Sequence, residues 1–245
     1  MTYTMESSQQ TIQLSEFDFC DFGCSNGGSI KFGQEILGGK KGFGVDIDPK
    51  KVIASRKSGY EAISGDFCNL DLPDQSVEFA ILSHVLEHLP SLNHAKLAIE
   101  NAVRVSKKFV FIQGPFFDAN EYLRSLNLKF YWSDWTGHPL HFKLSHLIQI
   151  LDDLQVQNYE VYGRIQIPNS SSPEIHPISS PKNQHDYELA LHGKKATVPF
   201  KYPVFKEIIG IIWLSDNIDN VEQIRRRPEK FLIQKRGLYF PLPIK

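Results

Sequence analysis

The chain has 245 residues, 41% of them hydrophobic and 12% aromatic, which is enough for one well-buried α/β domain. Its 27 basic and 28 acidic residues leave a formal charge of −1, so no overall field attracts it to nucleic acid or to an anionic membrane. The three cysteines lack the paired spacing of zinc or redox sites, and no apolar run is long enough to span a membrane. These features predict a cytoplasmic protein with reduced thiols, no membrane span and no nucleic-acid partner.

Apolar runs alternate with helical patterns along the first half of the chain, which is typical of a mostly parallel sheet. The predicted strands here are 17–22, 41–46, 60–64, 77–83 and 109–113. The predicted helices are 30–37, 49–58 and 92–105, with a helix or turn beginning at 84–89. Asp48 and Pro49 predict the start of the second helix, because aspartate caps helices and proline suits the first helical position.

The alternation fades after residue 113. Residues 114–142 are rich in aromatic side chains, 145–154 has a helical pattern, and 159–167 and 207–214 are strand-like. A segment rich in proline and serine, 168–186, separates the last two strands. Residues 221–245 are basic, a composition more typical of a solvated surface than of a binding arm.

A small turn follows the first predicted strand, in the run FDFCDFGCSNGG at 17–28. Glycines between a first strand and a first helix let the backbone approach a ligand, and an acidic residue after the second strand can accept two ribose hydroxyls. Gly23, Gly27, Gly28 and Asp46 supply these parts in that order. The spacing G-x-x-x-G-G differs from the dinucleotide fingerprint G-x-G-x-x-G, which argues against a nicotinamide-dependent oxidoreductase.

Four motifs in order extend this pattern: DFGCSNG, then GVDID at 44–48, GD at 65–66 and LPDQSVEFAILSHVLEHL at 72–89. Together they resemble the class I S-adenosylmethionine-dependent methyltransferases, and most closely the bacterial groups that act on small molecules, sugars and lipid precursors. The resemblance covers about residues 17–113. Ser25 replaces the usual second glycine, and Glu78 stands where the family usually has aspartate.

The resemblance implies a Rossmann-like, doubly wound α/β sheet of seven strands, mostly parallel with the last strand antiparallel. It implies a single methyltransferase domain over 1–245, with a cofactor-binding core at 17–113 and substrate-side insertions at 114–142 and 168–198.

The resemblance also implies a site for S-adenosylmethionine. The residues expected around its methionine part are Asp21, Gly23, Cys24, Ser25 and Gly27. Asp46 is expected to hold the ribose hydroxyls and Asp66 the adenine amino group. Ile47 and Phe67 are expected to flank the adenine ring, with a core role as the alternative for Phe67. Ser83 is expected beside the sulfonium.

Three histidines are candidates for handling the acceptor's proton, because a pKa of about 6.5 suits a general base near neutral pH. His84 follows the fourth strand, and His138 and His141 lie in the run FYWSDWTGHPLHF. Purely structural roles for all three remain the alternative. The aromatic residues of this run either wall a substrate pocket or cover a sheet face.

A metal site is a second possibility for the same segment. His84, Glu87 and His88 are spaced i, i+3, i+4, which on a helix would place them on one face, and His138 or His141 could complete the ligand set. The pattern resembles metal-dependent members of the superfamily. Because Glu-His after leucine is widespread in metal-free relatives, the prediction is that no metal is bound.

The predicted reaction is methyl transfer to a small hydroxylated acceptor such as a sugar or a glycan or lipid precursor. The Asn/Asp-Pro-Pro-aromatic motif of base N-methylation is replaced by SHVL, and no Pro-Cys turn is present for cytosine C-methylation. A small-molecule N-methyltransferase and a non-catalytic cofactor-binding scaffold remain as alternatives. Oligomeric state is left open.

The two insertions are expected to determine the acceptor. Residues 114–142 are predicted to form the main wall of its pocket, and 168–198 a mobile lid or a partner-contacting loop, because so long an irregular segment is uncommon in a compact domain. His176, Lys182 and His185 could meet an anionic substrate or belong to a plain solvated loop.

Overall fold

The computed structural model describes residues 14–69, 71–216, 218, 224–225, 230–235 and 238–239. Its strands are β1 (Phe19–Phe22), β2 (Gly42–Asp46), β3 (Glu61–Ser64), β4 (Val77–Ser83), β5 (Ser106–Pro115), β6 (Leu128–Phe130), β7 (Tyr159–Gln166), β8 (Ile175–Pro177), β9 (Phe205–Trp213), β10 (Lys230–Lys235) and β11 (Leu238–Tyr239). Its α-helices are α1 (Gly28–Glu35), α2 (Pro49–Lys57), α3 (Leu92–Val105), α4 (Asn120–Ser125), α5 (Leu144–Asp153) and α6 (Leu189–His192). The basic C-terminal end lies largely outside the described residues.

The chain divides into two compact units. The first consists of Met1–Val85, Asn93–Ile112 and Gly210–Arg227. The second consists of Leu86–Leu92, Gln113–Ile209 and Pro228–Lys245.

The first unit contains the strands β5-β4-β1-β2-β3 in that order, together with residues 210–213 of β9. β1 pairs in parallel with β2 and β4, and β2 pairs in parallel with β3. Asp21 in β1 is opposite both Gly44 of β2 and Ile81 of β4. Because parallel strands end at the same edge of a sheet, the segments after β1, β2, β3 and β4 are brought together there.

A stack of aromatic rings forms the core of the first unit. The ring centroids of Phe19 and Phe79 are 4.7 Å apart and those of Phe79 and Phe109 are 4.6 Å apart. In both pairs the ring planes are nearly parallel. Phe19 is fully buried, and a Cβ at Gly42 would lie 2.2 Å from its ring. The glycine therefore makes room for the phenylalanine, and the stacked rings fix neighbouring strands against one another.

The predicted start of α2 is confirmed. The Asp48 side chain accepts a hydrogen bond from the Lys50 backbone N–H at 2.9 Å, and Pro49 is the first helical residue. This bond satisfies one of the N–H groups that the first helical turn leaves without a partner.

The second unit contains β7, β10 and β11 with residues 205–209 of β9, and a separate small sheet. β10 pairs antiparallel with β7, and β11 with β10. The small sheet is β6 paired antiparallel with β8, with Lys129 opposite His176. It joins the aromatic insertion 114–142 to the segment 168–198, which therefore has regular structure of its own.

The predicted fold class is confirmed: a mixed α/β sheet, mostly parallel, with antiparallel strands at its end. Among the described residues, nine strands belong to this arrangement rather than the predicted seven, and β10 and β11 are the additional ones. No helix among the described residues combines the length and apolar character needed to cross a membrane.

Candidate functional site

The loop after β1 is held against the end of β2. The backbone N–H groups of Gly23 and Cys24 donate to the Val45 carbonyl at 2.7 and 3.2 Å. Gly27 has a φ of 91°, and a Cβ there would lie 2.3 Å from the Tyr60 ring. Both the left-handed backbone and the lack of space explain why glycine occupies this position.

Ser25, in the place of the usual second glycine, has a φ of 47°. This left-handed conformation is uncommon for residues with a side chain. The Ser25 backbone N–H donates to Asp46 Oδ2 at 2.9 Å, a bond that holds the loop in place. The replacement of glycine therefore leaves the tight turn intact.

Asp46 ends β2 and is only 5% exposed. Its Oδ2 accepts the bond from Ser25, and its Oδ1 accepts one from the Asp48 backbone N–H at 3.0 Å. Each carboxylate oxygen has a second lone pair, so the side chain is fixed in orientation and still able to accept hydrogen bonds from a diol.

Asp21 is the most deeply buried carboxyl group of this region. Its side chain is 0% exposed, and Ser29 Oγ donates to its Oδ2 at 2.5 Å. Its Oδ1 has no hydrogen-bond partner among the described residues. Burial raises the pKa of Asp21 to about 7, although the Ser29 bond opposes this rise. A buried acceptor oxygen in this state is suited to a cationic donor from a ligand.

The remaining predicted cofactor residues differ in exposure. Asp66 is exposed and accepts bonds from Cys68 N at 2.9 Å and Asn69 Nδ2 at 2.6 Å. Phe67 is buried, and its ring stacks on Phe22 with centroids 5.5 Å apart. Ile47, by contrast, is 71% exposed directly after Asp46, which leaves an apolar surface free to cover a ligand ring.

Ser83 and Cys24 are the other two residues of this unit that were predicted to lie near the cofactor. Ser83 is half-buried at the end of β4. Burial raises the pKa of the Cys24 thiol to about 12, so Cys24 is uncharged at neutral pH and serves as packing against Gly44. Sequence reasoning missed Ser29, whose hydroxyl in the first turn of α1 bonds to Asp21.

These observations fit S-adenosylmethionine. Asp21 offers a buried oxygen to an ammonium group, Asp46 offers carboxylate oxygens to a diol, and Ile47 offers an exposed apolar side chain to a ring. The residues that could hold the cofactor all lie in the first unit.

The three candidate histidines are divided between the two units. His84, in the first unit, is exposed and has a φ of 53° directly after β4. This backbone conformation contradicts the helical face predicted for His84, Glu87 and His88, since the helical part of the segment is only Leu86–His88.

His138 and His141 lie in the second unit and have distinct hydrogen bonds. His138 Nδ1 is 3.0 Å from the Trp132 carbonyl oxygen. His141 Nδ1 is 3.2 Å from Asn120 Nδ2, and Ser133 Oγ donates to Asn120 Oδ1 at 2.7 Å. Burial lowers the pKa of both histidines.

A cluster of three side chains forms around His138. One ligand atom from each of Glu87, His88 and His138 lies within 4.8 Å of the others. His88 Nδ1 is 2.6 Å from the Gly137 carbonyl oxygen, and the His88 and His138 rings are 4.9 Å apart. The sequence analysis placed His84 with Glu87 and His88 and let His138 or His141 complete the set; the structure brings Glu87, His88 and His138 together, and His84 is not part of the cluster.

The aromatic insertion is mainly packed core. Phe117, Phe130 and Trp132 are almost completely buried, and the Phe130 and Trp132 rings stack at 4.3 Å. The segment 168–198 packs on it through buried polar groups: Lys129 Nζ donates to Asp134 Oδ2 at 2.5 Å and to the Ser180 carbonyl at 2.6 Å.

The three candidate anion-binding residues of 168–198 differ in their exposure to solvent. His176 is 0% exposed, and burial lowers its pKa to about 4, so it is neutral and does not face solvent. Lys182 and His185 are exposed.

Comparison with known proteins gives one family match and a consistent set of folds. Residues 20–111 match the family model of a methyltransferase domain. A SAM-dependent methyltransferase from Archaeoglobus fulgidus is similar over 80% of this chain and 85% of that chain, with 15% identity and a TM-score of 0.55. No curated protein matches the sequence.

Two further solved structures share the fold. A SAM-dependent methyltransferase from Thermotoga maritima, described as a possible histamine N-methyltransferase, has 15% identity and a TM-score of 0.52 over 81% of this chain and 82% of that chain. The YcgJ protein from Bacillus subtilis has the same identity and TM-score over 81% and 92%.

The chain shares the Rossmann-like α/β fold of solved S-adenosylmethionine-dependent methyltransferases. Residues 20–111, which include the loop after β1 and the end of β2, match a methyltransferase domain.

Proposed function

We propose that this enzyme transfers the methyl group of S-adenosylmethionine to a hydroxyl oxygen of a small acceptor. The cofactor supplies an activated sulfonium methyl group. The protein then has to orient the acceptor, exclude water and remove the hydroxyl proton.

The proposal assigns the cofactor to residues of the first unit. Asp46 would hold the ribose hydroxyls and Asp66 the adenine amino group, with Ile47 and Phe67 beside the ring. The residues assigned to the methionine part and the sulfonium are Asp21, Gly23, Cys24, Ser25, Gly27 and Ser83. Asp21 Oδ1 is buried and has no hydrogen-bond partner among the residues that the structure describes, which supports this assignment because an ammonium group would satisfy it.

The contact between His138 Nδ1 and the Trp132 carbonyl oxygen is the observation that most supports a hydroxyl acceptor. A carbonyl oxygen only accepts, so the Trp132 contact fixes the proton on His138 Nδ1 and leaves the lone pair on Nε2. Burial lowers the pKa of His138, which keeps the ring neutral at pH 7. A neutral imidazole with a free Nε2 lone pair can take a proton from a hydroxyl group.

His141 is better suited to a positioning role. Asn120 Nδ2 is a donor, so His141 Nδ1 must accept from it, and a hydrogen bond to the Ser133 backbone occupies the ring as well. Its ring also stacks on Phe117 at 4.6 Å. We therefore assign removal of the acceptor's hydroxyl proton to His138. His84 and His141 are assigned to orienting the acceptor.

The acceptor's contacts are assigned to the two insertions, 114–142 and 168–198. Their pairing through β6 and β8 and the bond from Lys129 to Ser180 support a shared role. Sugars and glycan or lipid precursors are the acceptor classes to be examined first.

The test is methyl transfer from isotopically labelled S-adenosylmethionine to a panel of hydroxylated and amine acceptors. The wild-type protein is compared with His138→Gln, with His146→Gln as the matched control. His146 also has a lowered pKa and lies on α5, outside the cluster.

We expect hydroxyl methylation whose kcat falls by about 10²–10⁴ in His138→Gln and stays unchanged in His146→Gln. The wild-type rate should rise with pH through the lowered pKa of His138 and be level at neutral pH. Methylation of amines alone, unaffected by His138→Gln, would instead establish a small-molecule N-methyltransferase, because a neutral amine needs no base.

A further inference from the structure

Segment 168–198 lies along the aromatic insertion and contacts it at successive positions. The Ile178 backbone N–H donates to the Asn127 carbonyl at 2.9 Å. Further along, the rings of His185 and Tyr131 pack together with their centroids 4.5 Å apart. The stretch between these two contacts is thus held against the aromatic insertion at both ends.

Asn183 lies in this stretch and bonds to the turn that carries His138. In this turn the His138 backbone N–H donates to the Trp135 carbonyl at 2.9 Å. A turn of this kind uses the N–H of its fourth residue and leaves that of its second residue, here Thr136, without a partner inside the turn. Asn183 Oδ1 supplies the acceptor: it accepts from the Thr136 N–H at 2.8 Å and from Thr136 Oγ1 at 3.2 Å.

The backbone of Asn183 suits this contact. Its φ is 58°, in the left-handed region that asparagine adopts more readily than most residues with a side chain. Asn183 therefore combines a tight local backbone with a side-chain oxygen that reaches a distant turn. Among the residues that the structure describes, it links segment 168–198 to the residue two positions before His138.

The position of the turn controls the His138 ring. The Trp132 carbonyl oxygen lies 3.0 Å from His138 Nδ1 and also accepts from the Trp135 backbone N–H at 3.3 Å. A shift of the turn would lengthen the contact between His138 and Trp132, and that contact is what places the ring proton on Nδ1. A neutral ring with its proton on Nε2 has no lone pair there to receive a proton.

We propose that Asn183 is a positioning residue for His138. By holding Thr136 it keeps the turn where His138 Nδ1 donates to Trp132, and it thereby keeps the Nε2 lone pair available. This inference rests on the proposed function, in which His138 removes the acceptor's hydroxyl proton. It gives segment 168–198 a role in the rate of methyl transfer in addition to the acceptor contacts already assigned to it.

Three variants separate this role from a general effect on folding. Asn183→Gly removes the acceptor oxygen and still permits the left-handed backbone. Asn183→Asp is the conservative variant, because it keeps an oxygen at the same position. Asn127→Gly is the matched control: Asn127 is also exposed and left-handed, with a φ of 57°, and the variant retains the backbone carbonyl that Ile178 contacts. Circular dichroism and urea unfolding check that all three are folded.

The first measurement is the tautomer of His138, by nuclear magnetic resonance of the full-length protein with ¹⁵N-labelled histidine at neutral pH. Protonated and unprotonated ring nitrogens have well-separated ¹⁵N shifts, so the two neutral tautomers are distinguished. The signals of His138 are those missing from His138→Gln. No cofactor or acceptor is present, so the readout does not depend on activity.

We expect the proton of His138 on Nδ1 in the wild-type protein, in Asn183→Asp and in Asn127→Gly. Asn183→Gly should show a mixture of both tautomers. In the methyl-transfer assay, kcat should fall about tenfold in Asn183→Gly, because a small displacement of a catalytic group slows the reaction without weakening acceptor binding. KM for the acceptor should stay within about twofold, and Asn183→Asp should restore kcat.

The two proposals fail separately. An unchanged tautomer, or a kcat equal to that of the wild type, in the folded Asn183→Gly variant would overturn the positioning role and leave the proposed reaction standing. A changed tautomer in a protein that methylates no hydroxyl across the acceptor panel would overturn the proposed reaction and leave the positioning of the ring by Asn183.

Discussion

The Ser25 backbone N–H donates a hydrogen bond to Asp46 Oδ2 at 2.9 Å, which joins the loop after β1 to the end of β2. Asp46 therefore stabilises the loop, in addition to the cofactor contact proposed for it. The same carboxylate also accepts from the Asp48 N–H at 3.0 Å. Substitutions at this residue should therefore affect both stability and binding.

Asp46→Ala should weaken adenosylhomocysteine binding at least about tenfold, because each hydrogen bond to a charged group contributes about 1.5–3 kcal/mol. It should also lower the free energy of unfolding by about 1–3 kcal/mol, since two backbone N–H groups lose their acceptor. Calorimetric titration and urea unfolding measure the two effects.

Asp48→Ala is the matched control for Asp46. It removes the cap of α2 and should cost about 0.5–2 kcal/mol of stability while leaving cofactor affinity unchanged. Equal loss of affinity in both variants would show that Asp46 acts only by holding the loop.

Gly27→Ala should destabilise the protein by about 1–3 kcal/mol, because the residue has a φ of 91° and its Cβ would meet the Tyr60 ring at 2.3 Å. Gly28→Ala is the adjacent control, since a Cβ there finds its nearest neighbour at 3.7 Å. As the first residue of α1, Gly28→Ala should be neutral or stabilising by about 0.5–1 kcal/mol. Thermal and urea unfolding of the pair would contradict this account if both variants lost the same stability.

Asp21 should make stability depend on pH. Its pKa is raised from the ordinary 3.8 to about 7, so the folded protein binds the proton more tightly than the unfolded chain. Its contribution to stability is thus complete below pH 4 and is lost as pH rises through 7. Asp21→Asn removes the titration. The difference in unfolding free energy, wild type minus Asp21→Asn, should decrease between pH 5 and pH 8 in urea unfolding. A constant difference would refute the raised pKa.

The ion pair of Lys129 with Asp134 should be a main contributor to the packing of the two insertions. The Lys129 side chain is 4% exposed and also donates to the Ser180 carbonyl at 2.6 Å. Lys129→Met should cost about 3–5 kcal/mol, because it leaves buried acceptors without a donor.

The control for Lys129 is Lys143→Met. Lys143 pairs with Glu121, whose side chain is 87% exposed, so its loss should cost about 1 kcal/mol or less. Similar unfolding midpoints for the two variants would show that 168–198 is held by other contacts.

Much of the first unit could be predicted from the sequence because its signals are local. The bounds of α3 coincide with the predicted 92–105, and the Asp48 cap was identified from two adjacent residues. The order of glycines and acidic residues after β1 and β2 is equally local, and from it the sequence predicts a cofactor site there.

Other elements had no local signal. β6 and β8 are three residues each, and they pair although Lys129 and His176 are 47 positions apart. Such short strands are stabilised by burial and by their partner, not by their own composition. The spacing of His84, Glu87 and His88 suggested a shared helical face, but the positive φ of His84 removes it from the helix.

By itself the sequence determined the fold class, the methyltransferase motifs and the tight loop after β1, because backbone propensities and turn chemistry act over a few residues. Only the tertiary structure decided which histidine keeps a free Nε2 lone pair and which side chains join it. The Trp132 carbonyl sets the His138 tautomer, and the bond from Leu140 to Glu87 ties the loop beside His88. These contacts join residues distant in the chain, and the spacing of residues in a sequence does not specify them.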